Sequence, residues 1–346
     1  MPRTTLKKLA AILGLSPATV SKALKNYPDI NADTKKRVID LATSLNYQPN
    51  SLAQGLRNKE SKIIGLIIPE IVHHFFSNII SGCIKAAEKR GYLVIVLQTN
   101  ESFEQEKNHL KILMNKNVDG ILLSLSDNTT QHKHIKQVID RGIPIVLYDK
   151  ISKLIKSSKV VIDDQKAAFN ATQYLIDSGC KKIAHIRGDL KPQTTIDRFI
   201  GYKKALAKNN IPFDNSLVYR CKSLTFGEGF RIAKKIIQDH EDVDGVFAFT
   251  DLLATGVLKR FNELKIPVPE QVSVMGFSDW FLTKITTPTL SSVHQPGFEM
   301  GQQAFELLYK DICTLKKGEE IIPQIIEIPT YIIPRNSTRK LTKQTK

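Results

Sequence analysis

The chain has 346 residues, of which 42% are apolar, and carries a formal net charge of +16. That length excludes a single small domain, and the apolar share is enough for several buried cores. The charge favours a polyanionic partner, nucleic acid first and an anionic membrane second. Cys83, Cys180, Cys221 and Cys313 lie far apart with no C-x-x-C pair, which argues against a zinc ribbon and for buried thiols in a reducing cytosol. No apolar run approaches the ~18 residues of a membrane span, and no long apolar segment follows the N-terminus. The expectation is a cytoplasmic protein, in which the N-x-[ST] triplets at Asn128, Asn170 and Asn336 are chance matches.

The first sixty residues contain no strand pattern. Leu6, Leu9, Ala10 and Leu13 share one face of a short helix, which Gly14 can end in the left-handed conformation. Ser16 then caps a second helix with Pro17 at its first position, where no amide donor is needed, and Val20, Ala23 and Leu24 form its inner face. A third helix starts near Asn31 or Asp33 and buries Val38, Leu41, Ala42 and Leu45. The pattern breaks at 46–50. A short stretch of helical composition follows at 51–57, then a polar linker.

Three short helices at this spacing predict a helix-turn-helix, whose second helix enters the major groove with its first residues at base edges. Those residues are Pro17, Ala18, Ser21 and Lys22. Lys22 can donate to guanine, Ala18 can touch a thymine methyl, and Thr19 and Ser21 can donate to bases or phosphates. Ten Lys/Arg against four acids in residues 1–60, a difference of +6, suit a phosphate surface. An ordinary three-helix module with a solvated basic face is the competing reading.

From Ile63 the texture changes. Apolar runs at 63–68, 92–97, 120–123, 144–148, 160–162, 183–186, 243–249, 272–277 and 290–293 alternate with helical patterns at 76–90, 104–115, 165–178, 197–209, 227–239, 252–264 and 296–309. Continuous apolar strands between helices predict α/β architecture with parallel sheets covered on both faces. Nine strands over this length suit two doubly wound parallel-sheet lobes behind an all-α head. Ligands in such sheets bind beyond the carboxyl ends of the strands, so a cleft between the lobes is the expected small-molecule site. The polar, basic segment 335–346 reads as a disordered tail, and it has no heptads for a coiled coil.

The run TLKKLAAILGLSPATVSKAL from Thr5 closely resembles the DNA-binding headpiece of the lactose-repressor (LacI) family, and NYQPNSLAQGLR from Asn46 resembles that family's hinge. The resemblance continues through IGLIIP at 64–69, VDGI at 118–121, RGIPIV at 141–146, VSVMGF at 272–277 and TLSSVHQP at 289–296, and covers nearly the whole chain. It implies a transcriptional regulator, most often a repressor, that binds a pseudo-palindromic operator as a homodimer. It also implies a periplasmic-binding-protein-like effector domain. The implied DNA contacts are Thr5, Ser16, Pro17, Ala18, Thr19, Ser21, Lys22 and Asn26 in the head, with Ala53, Leu56 and Arg57 in a hinge helix. Leu56 is the implied wedge into the minor groove, where an apolar side chain unstacks a base step and bends the duplex. Read from the residues alone, Leu56 could instead be an ordinary buried leucine. The implied domains are a head at 1–50, a hinge and linker at 51–61, and an effector domain at 62–336. Its N-lobe is 62–162 plus 292–323 and its C-lobe 163–291 plus 324–336, with a disordered tail at 337–346. The chain is expected to cross between lobes near Ile162, Ser291 and Pro323.

The resemblance also implies effector contacts, carried over by position: Phe75, Phe76, Asp163 (or Asp164), Thr194, Arg198 in DRFIGY, Leu224, Thr250, Asp251, Ser278 and Asp279. Thr250 and Ser278 stand where many members have Asn and Asp, which leaves the effector's identity open although a carbohydrate is expected. His73 and His74 are adjacent and read as rim residues rather than metal ligands. No cofactor is expected.

Two other function classes compete. A transport-type binding protein predicts a signal peptide and no DNA-binding head. An enzyme predicts a phosphate loop, a nucleophile elbow, an H-E-x-x-H motif or a dinucleotide fingerprint, none of which occurs. The expected mechanism is ligand closure of the lobes, which alters the spacing of paired heads and shifts the hinge between ordered and disordered states.

Overall fold

The computed structural model describes residues 4–47, 60–72 and 74–341. It comprises two compact units, Met1–Ser61 and Lys62–Lys346. The first holds α1 (Leu6–Leu13), α2 (Pro17–Leu24) and α3 (Ala32–Ser44). Each helix starts on a side-chain oxygen that satisfies an otherwise orphaned amide: Thr5 accepts from Lys8, Ser16 from Thr19 and Asn31 from Thr34. Gly14 ends α1 with φ +65°, a conformation that strains any residue with a Cβ. Leu9, Val20, Ala23 and Val38 are fully buried where the helices meet, and Leu6, Leu13, Leu41 and Leu45 pack around them. Burying Leu9 and Val20 contributes about 2 kcal/mol each, which matters in so small a core.

The second unit alternates strands and helices. In chain order these are β1 (Ile63–Ile68), α4 (His74–Lys89), β2 (Leu93–Gln98), α5 (Phe103–Asn115), β3 (Gly120–Leu123), α6 (Lys133–Asp140), β4 (Ile145–Tyr148) and β5 (Ser158–Val161). Next come α7 (Asp164–Asp177), β6 (Ile183–Arg187), α8 (Gln193–Lys208), β7 (Val218–Arg220), α9 (Phe226–Asp239), β8 (Gly245–Ala248), α10 (Asp251–Glu263), β9 (Ser273–Ser278) and β10 (Ser291–His294). The last are α11 (Gly297–Lys316), β11 (Ile325–Glu327) and β12 (Tyr331–Ile333). They build two six-stranded sheets of order β11-β5-β4-β3-β1-β2 and β12-β10-β9-β8-β6-β7. Every strand pairs in parallel except β12, which runs antiparallel to β10. Helices α4 and α11 pack closely in the N-lobe because both contribute glycine at the crossing. A Cβ on Gly82 would sit 2.0 Å from the Phe298 carbonyl oxygen, and one on Gly301 would sit 2.1 Å from that of Ile79.

Three details differ from the sequence expectation. β10 belongs to the C-lobe sheet as the parallel partner of β9, so the second crossing falls at 295–296 rather than near Ser291. β11 extends the N-lobe sheet beside β5, so the third crossing lies between Glu327 and Tyr331 rather than near Pro323. The segment after Arg335 is docked, not disordered, as far as Arg339. Ser337 and Thr338 are buried, and the Val274 amide donates to the Ser337 carbonyl at 2.7 Å. The Arg339 guanidinium donates to the carbonyls of Pro269, Glu270 and Gln271. Polar composition misled here because these side chains satisfy exposed loop carbonyls rather than water. Residues 342–346 lie outside the described residues.

Candidate functional site

The head offers one exposed face on α2. Val20 and Ala23 turn inward, while Pro17, Ala18 and Lys22 are exposed and Ser21 is half-buried. Ser16 is committed as a cap: its Oγ accepts from the Thr19 amide at 3.1 Å and lies 2.8 Å from Thr19 Oγ1. Thr5 plays the same capping role on α1. Asn26 follows α2 in the left-handed region, φ 56°, and is exposed. Lys22, the one long donor on this face, is ion-paired with Asp29, and that hydrogen bond raises the pKa of the amine. Ala53, Leu56 and Arg57 lie outside the described residues, as does His73.

The effector domain contains a cavity of about 550 Å³. Its N-lobe wall is made by Glu70 after β1, Glu101 after β2, Asp127 and Asn128 after β3, and Lys150 after β4. Its C-lobe wall is made by Gly188 after β6, the start of α8, the loop 221–225 after β7, Phe249 after β8, and Trp280 after β9. All these segments follow the carboxyl ends of parallel strands, which is where such sheets place ligands.

Lys150 is the pivot of the N-lobe wall. It is only 12% exposed, and its Nζ donates to both Glu101 and Asp127. The Asp127 amide also donates to Glu101 Oε2 at 2.8 Å. Burial pushes the Glu101 carboxyl up to about 7 although Lys150 opposes the shift. Burial likewise works against charging Lys150, but the two carboxylates outweigh it and raise its pKa. On the other wall the Trp280 indole N–H is buried with no acceptor among the described residues, and its ring stacks on His74 at 6.3 Å.

Of the ten effector residues expected from the sequence, Thr194 and Leu224 line this cavity. The others are engaged elsewhere. Phe76 is buried in the N-lobe core with Phe75 against it, ring centroids 5.3 Å apart. Asp163 caps α7 through the Lys166 amide. Arg198 is held at Asp164 Oδ1, 2.7 Å, and at the Phe249 carbonyl, 2.8 Å, with its guanidinium 3.6 Å from the Phe277 ring centroid. Burial pushes the Asp164 carboxyl up to about 7. Arg198 therefore braces Phe249, a cavity residue, from behind. Thr250 caps α10 through the Leu253 amide. Asp251 accepts from Ser292 Oγ at 2.6 Å and from the Trp280 amide at 2.7 Å, and burial pushes its pKa up to about 6. Ser278 donates to Gln295 Oε1 at 3.1 Å. Asp279 accepts from Arg335 and His294, which hold its pKa down against burial. Asp251 and Asp279 thus shape the turn that carries Trp280.

Sequence reasoning missed Glu101, Asp127, Lys150 and Trp280. One signal was available: each lies two to four residues beyond an apolar run, at a strand's carboxyl end. Trp280 is also the chain's one tryptophan.

Two family models match. Residues 5–50 match bacterial regulatory proteins, lacI family, and residues 172–338 match a periplasmic binding protein-like domain. The chain is 31% identical to the HTH-type transcriptional repressor PurR of Vibrio atlanticus (strain LGP32) over 335 residues, covering 94% of this chain and 98% of that protein. A solved transcriptional regulator CelR–cellobiose complex shares 26% identity and a TM-score of 0.73 over 97% of this chain and 100% of that one. The Lac repressor dimer bound to operator and the anti-inducer ONPF shares the fold at a TM-score of 0.85 and 21% identity, over 98% and 100% of the two chains. With its helix-turn-helix head and two-lobed ligand-binding domain, the chain belongs to the LacI family of bacterial regulatory proteins.

Proposed function

We propose that the protein is a cytoplasmic, sequence-specific transcriptional repressor whose operator affinity is set by a small polyhydroxylated effector in the 550 Å³ cavity. The observation that carries this reading is the cavity itself, placed beyond the strand ends in a chain that begins with a DNA-binding head. Carboxylates that accept from hydroxyls (Glu101, Asp127), a buried ammonium (Lys150) and aromatic faces (Trp280, Phe249) suit a sugar-like molecule. The cellobiose complex of a 26% identical regulator supports the same ligand class. The protein acts as a homodimer on a pseudo-palindromic operator, with Ala53, Leu56 and Arg57 in the hinge. The effector acts through its different affinity for the two lobe arrangements, because a ligand that binds both equally shifts nothing.

The test is a gel-shift titration on DNA selected by the full-length protein from a random pool, repeated across a panel of neutral and phosphorylated sugars. At least one compound is expected to move the operator midpoint by fivefold or more, the usual scale of allosteric coupling. A panel that leaves the midpoint unchanged, while each compound also fails to perturb Trp280 fluorescence, contradicts the reading.

A further inference from the structure

Helix α8 begins differently from its neighbours. Its N-cap is Pro192, which supplies no side-chain acceptor, whereas α9 and α10 are capped by Thr225 and Thr250. Among the described residues, no acceptor meets the amides of Gln193 or Thr194. They stand at the helix start beside the cavity, which Pro192, Thr194 and Thr195 line. A second observation points the same way. Thr194 and Thr195 are 5% and 3% exposed, and neither hydroxyl has a hydrogen-bond partner among the described residues. The two threonines are thus packed on all sides but the cavity they line, and their hydroxyls are left free for whatever occupies it.

Charge completes the arrangement. Lys191 and Lys222 stand at the rim, exposed and without an ion-pair partner among the described residues. The acids beside them are already paired, Asp189 with Arg220 Nη2 at 2.8 Å and Glu228, which accepts from the Lys222 amide, with Arg231 Nε at 2.8 Å. Orphan amides at the positive end of a 16-residue helix, two hydroxyl donors and two ammonium groups together match a tetrahedral oxyanion. The facing wall, with Glu101, Asp127 and Lys150, matches hydroxyls instead.

We propose that the start of α8 is a phosphoryl-binding subsite, so that the effector carries a phosphate on the C-lobe side and hydroxyls on the N-lobe side. This rests on the reading of the cavity as the effector site and narrows the ligand within it. Because Trp280 lines the same cavity and is the chain's one tryptophan, its fluorescence reports occupancy directly.

The experiment titrates the full-length protein with inorganic phosphate, glucose 6-phosphate and glucose at constant ionic strength, with sodium chloride as the reference. Saturable quenching or enhancement of Trp280 by a phosphate-bearing compound, absent with chloride, is expected. Tighter binding of the ester than of phosphate identifies a phosphorylated molecule; the reverse identifies the free ion, and either supports the subsite. The double variant Lys191→Gln/Lys222→Gln should weaken that binding about tenfold, since charge-assisted donors are lost. Thr195→Val, which keeps the volume of a buried side chain, should weaken it severalfold. No saturable response to either phosphate compound, or wild-type affinity in both variants, overturns the proposal. If neutral sugars still perturb Trp280 and shift DNA affinity, the phosphoryl subsite alone falls; if no ligand alters DNA affinity, the effector reading falls instead.

Discussion

Gln295 Nε2 donates to Asp149 Oδ1 at 3.3 Å, and this bond joins the C-lobe end of β10 to the N-lobe end of β4. The same side chain accepts from Ser278 at the end of β9. One amide at the crossing therefore links the carboxyl ends of strands from both sheets. Asp149 is buried, and burial raises its pKa, so its carboxylate depends on the partners it has. Replacing Gln295 by Leu removes a donor from a buried carboxylate, which costs about 1–3 kcal/mol. Thermal unfolding should show a lower Tm for the effector domain, with the head's affinity for DNA in the absence of ligand kept within a few fold. An unchanged Tm would show that the contact bears no load.

Lys22 and Asp29 compete with DNA in an analogous way. Base reading by Lys22 requires breaking an ion pair that is exposed to solvent and therefore weak. Asp29→Asn frees the amine and removes a like charge from the phosphate-facing unit. Operator affinity should rise by about two- to fivefold at low salt, and the gain should shrink as salt increases. Weaker binding in an anisotropy titration would mean that Asp29 positions Lys22 rather than restraining it.

Removing Lys150 leaves Glu101 and Asp127 facing each other without a cation. Loss of one member from a largely buried ionic cluster costs about 3 kcal/mol. Lys150→Met should therefore lower Tm at pH 7.5. Acidification to pH 5.5 should recover part of the loss, because protonating Glu101, whose carboxyl is already pushed up to about 7, ends the repulsion. A deficit that is the same at both pH values contradicts this account of the N-lobe wall.

His185 is fully buried, sandwiched between the rings of Tyr202 and Phe247 at 4.9 Å, with Nδ1 3.0 Å from the Phe247 carbonyl. Burial lowers its pKa to about 4. The folded protein thus binds fewer protons here than the unfolded chain. Its stabilising contribution is present above the unfolded value near 6.5 and is lost as pH falls toward 4, by about 3 kcal/mol in all. The stability gap between wild type and His185→Gln should narrow across that window in urea titrations. A constant gap from pH 7 to pH 4.5 would rule out a neutral buried imidazole as the source.

Leu56 tests the hinge. Leu56→Ala should weaken operator binding by tenfold or more, since a minor-groove wedge recovers contacts through the bend it makes. Thermal unfolding of the effector domain should not change. Equal operator affinity for the two proteins sinks the wedge assignment.

The head was almost fully legible in the sequence because its signals are local. Ser16-Pro17 and Gly14 are helix punctuation that act within a few residues. The interior strands were legible for a related reason: strands buried on both faces must be continuously apolar. The short outer strands β7, β11 and β12 were missed. Each has three residues and is partly exposed, so none leaves an apolar run. Helix α6 was missed because its buried face includes His134, which pairs with Glu106 at 2.7 Å, a long-range relationship invisible to periodicity. The sequence pattern starts α8 at Asp197, a turn beyond the observed Gln193, and so does not show that Thr194 and Thr195 stand in its first turn. The cavity was the least legible part. Glu101, Asp127 and Lys150 come from three strand ends, and only the fold brings them together, whereas Arg198, Asp251 and Asp279 carry charge that the fold spends on its own turns.

The most direct test of the central claim is the salt dependence of full-length protein binding to the DNA it selects, measured with and without a compound that perturbs Trp280. A DNA-binding head with this charge predicts a selected palindromic sequence, a steep linear fall of log affinity with log salt, and a midpoint that moves when the cavity is filled. Selection of no sequence over random DNA, or an affinity indifferent to both salt and ligand, would contradict it.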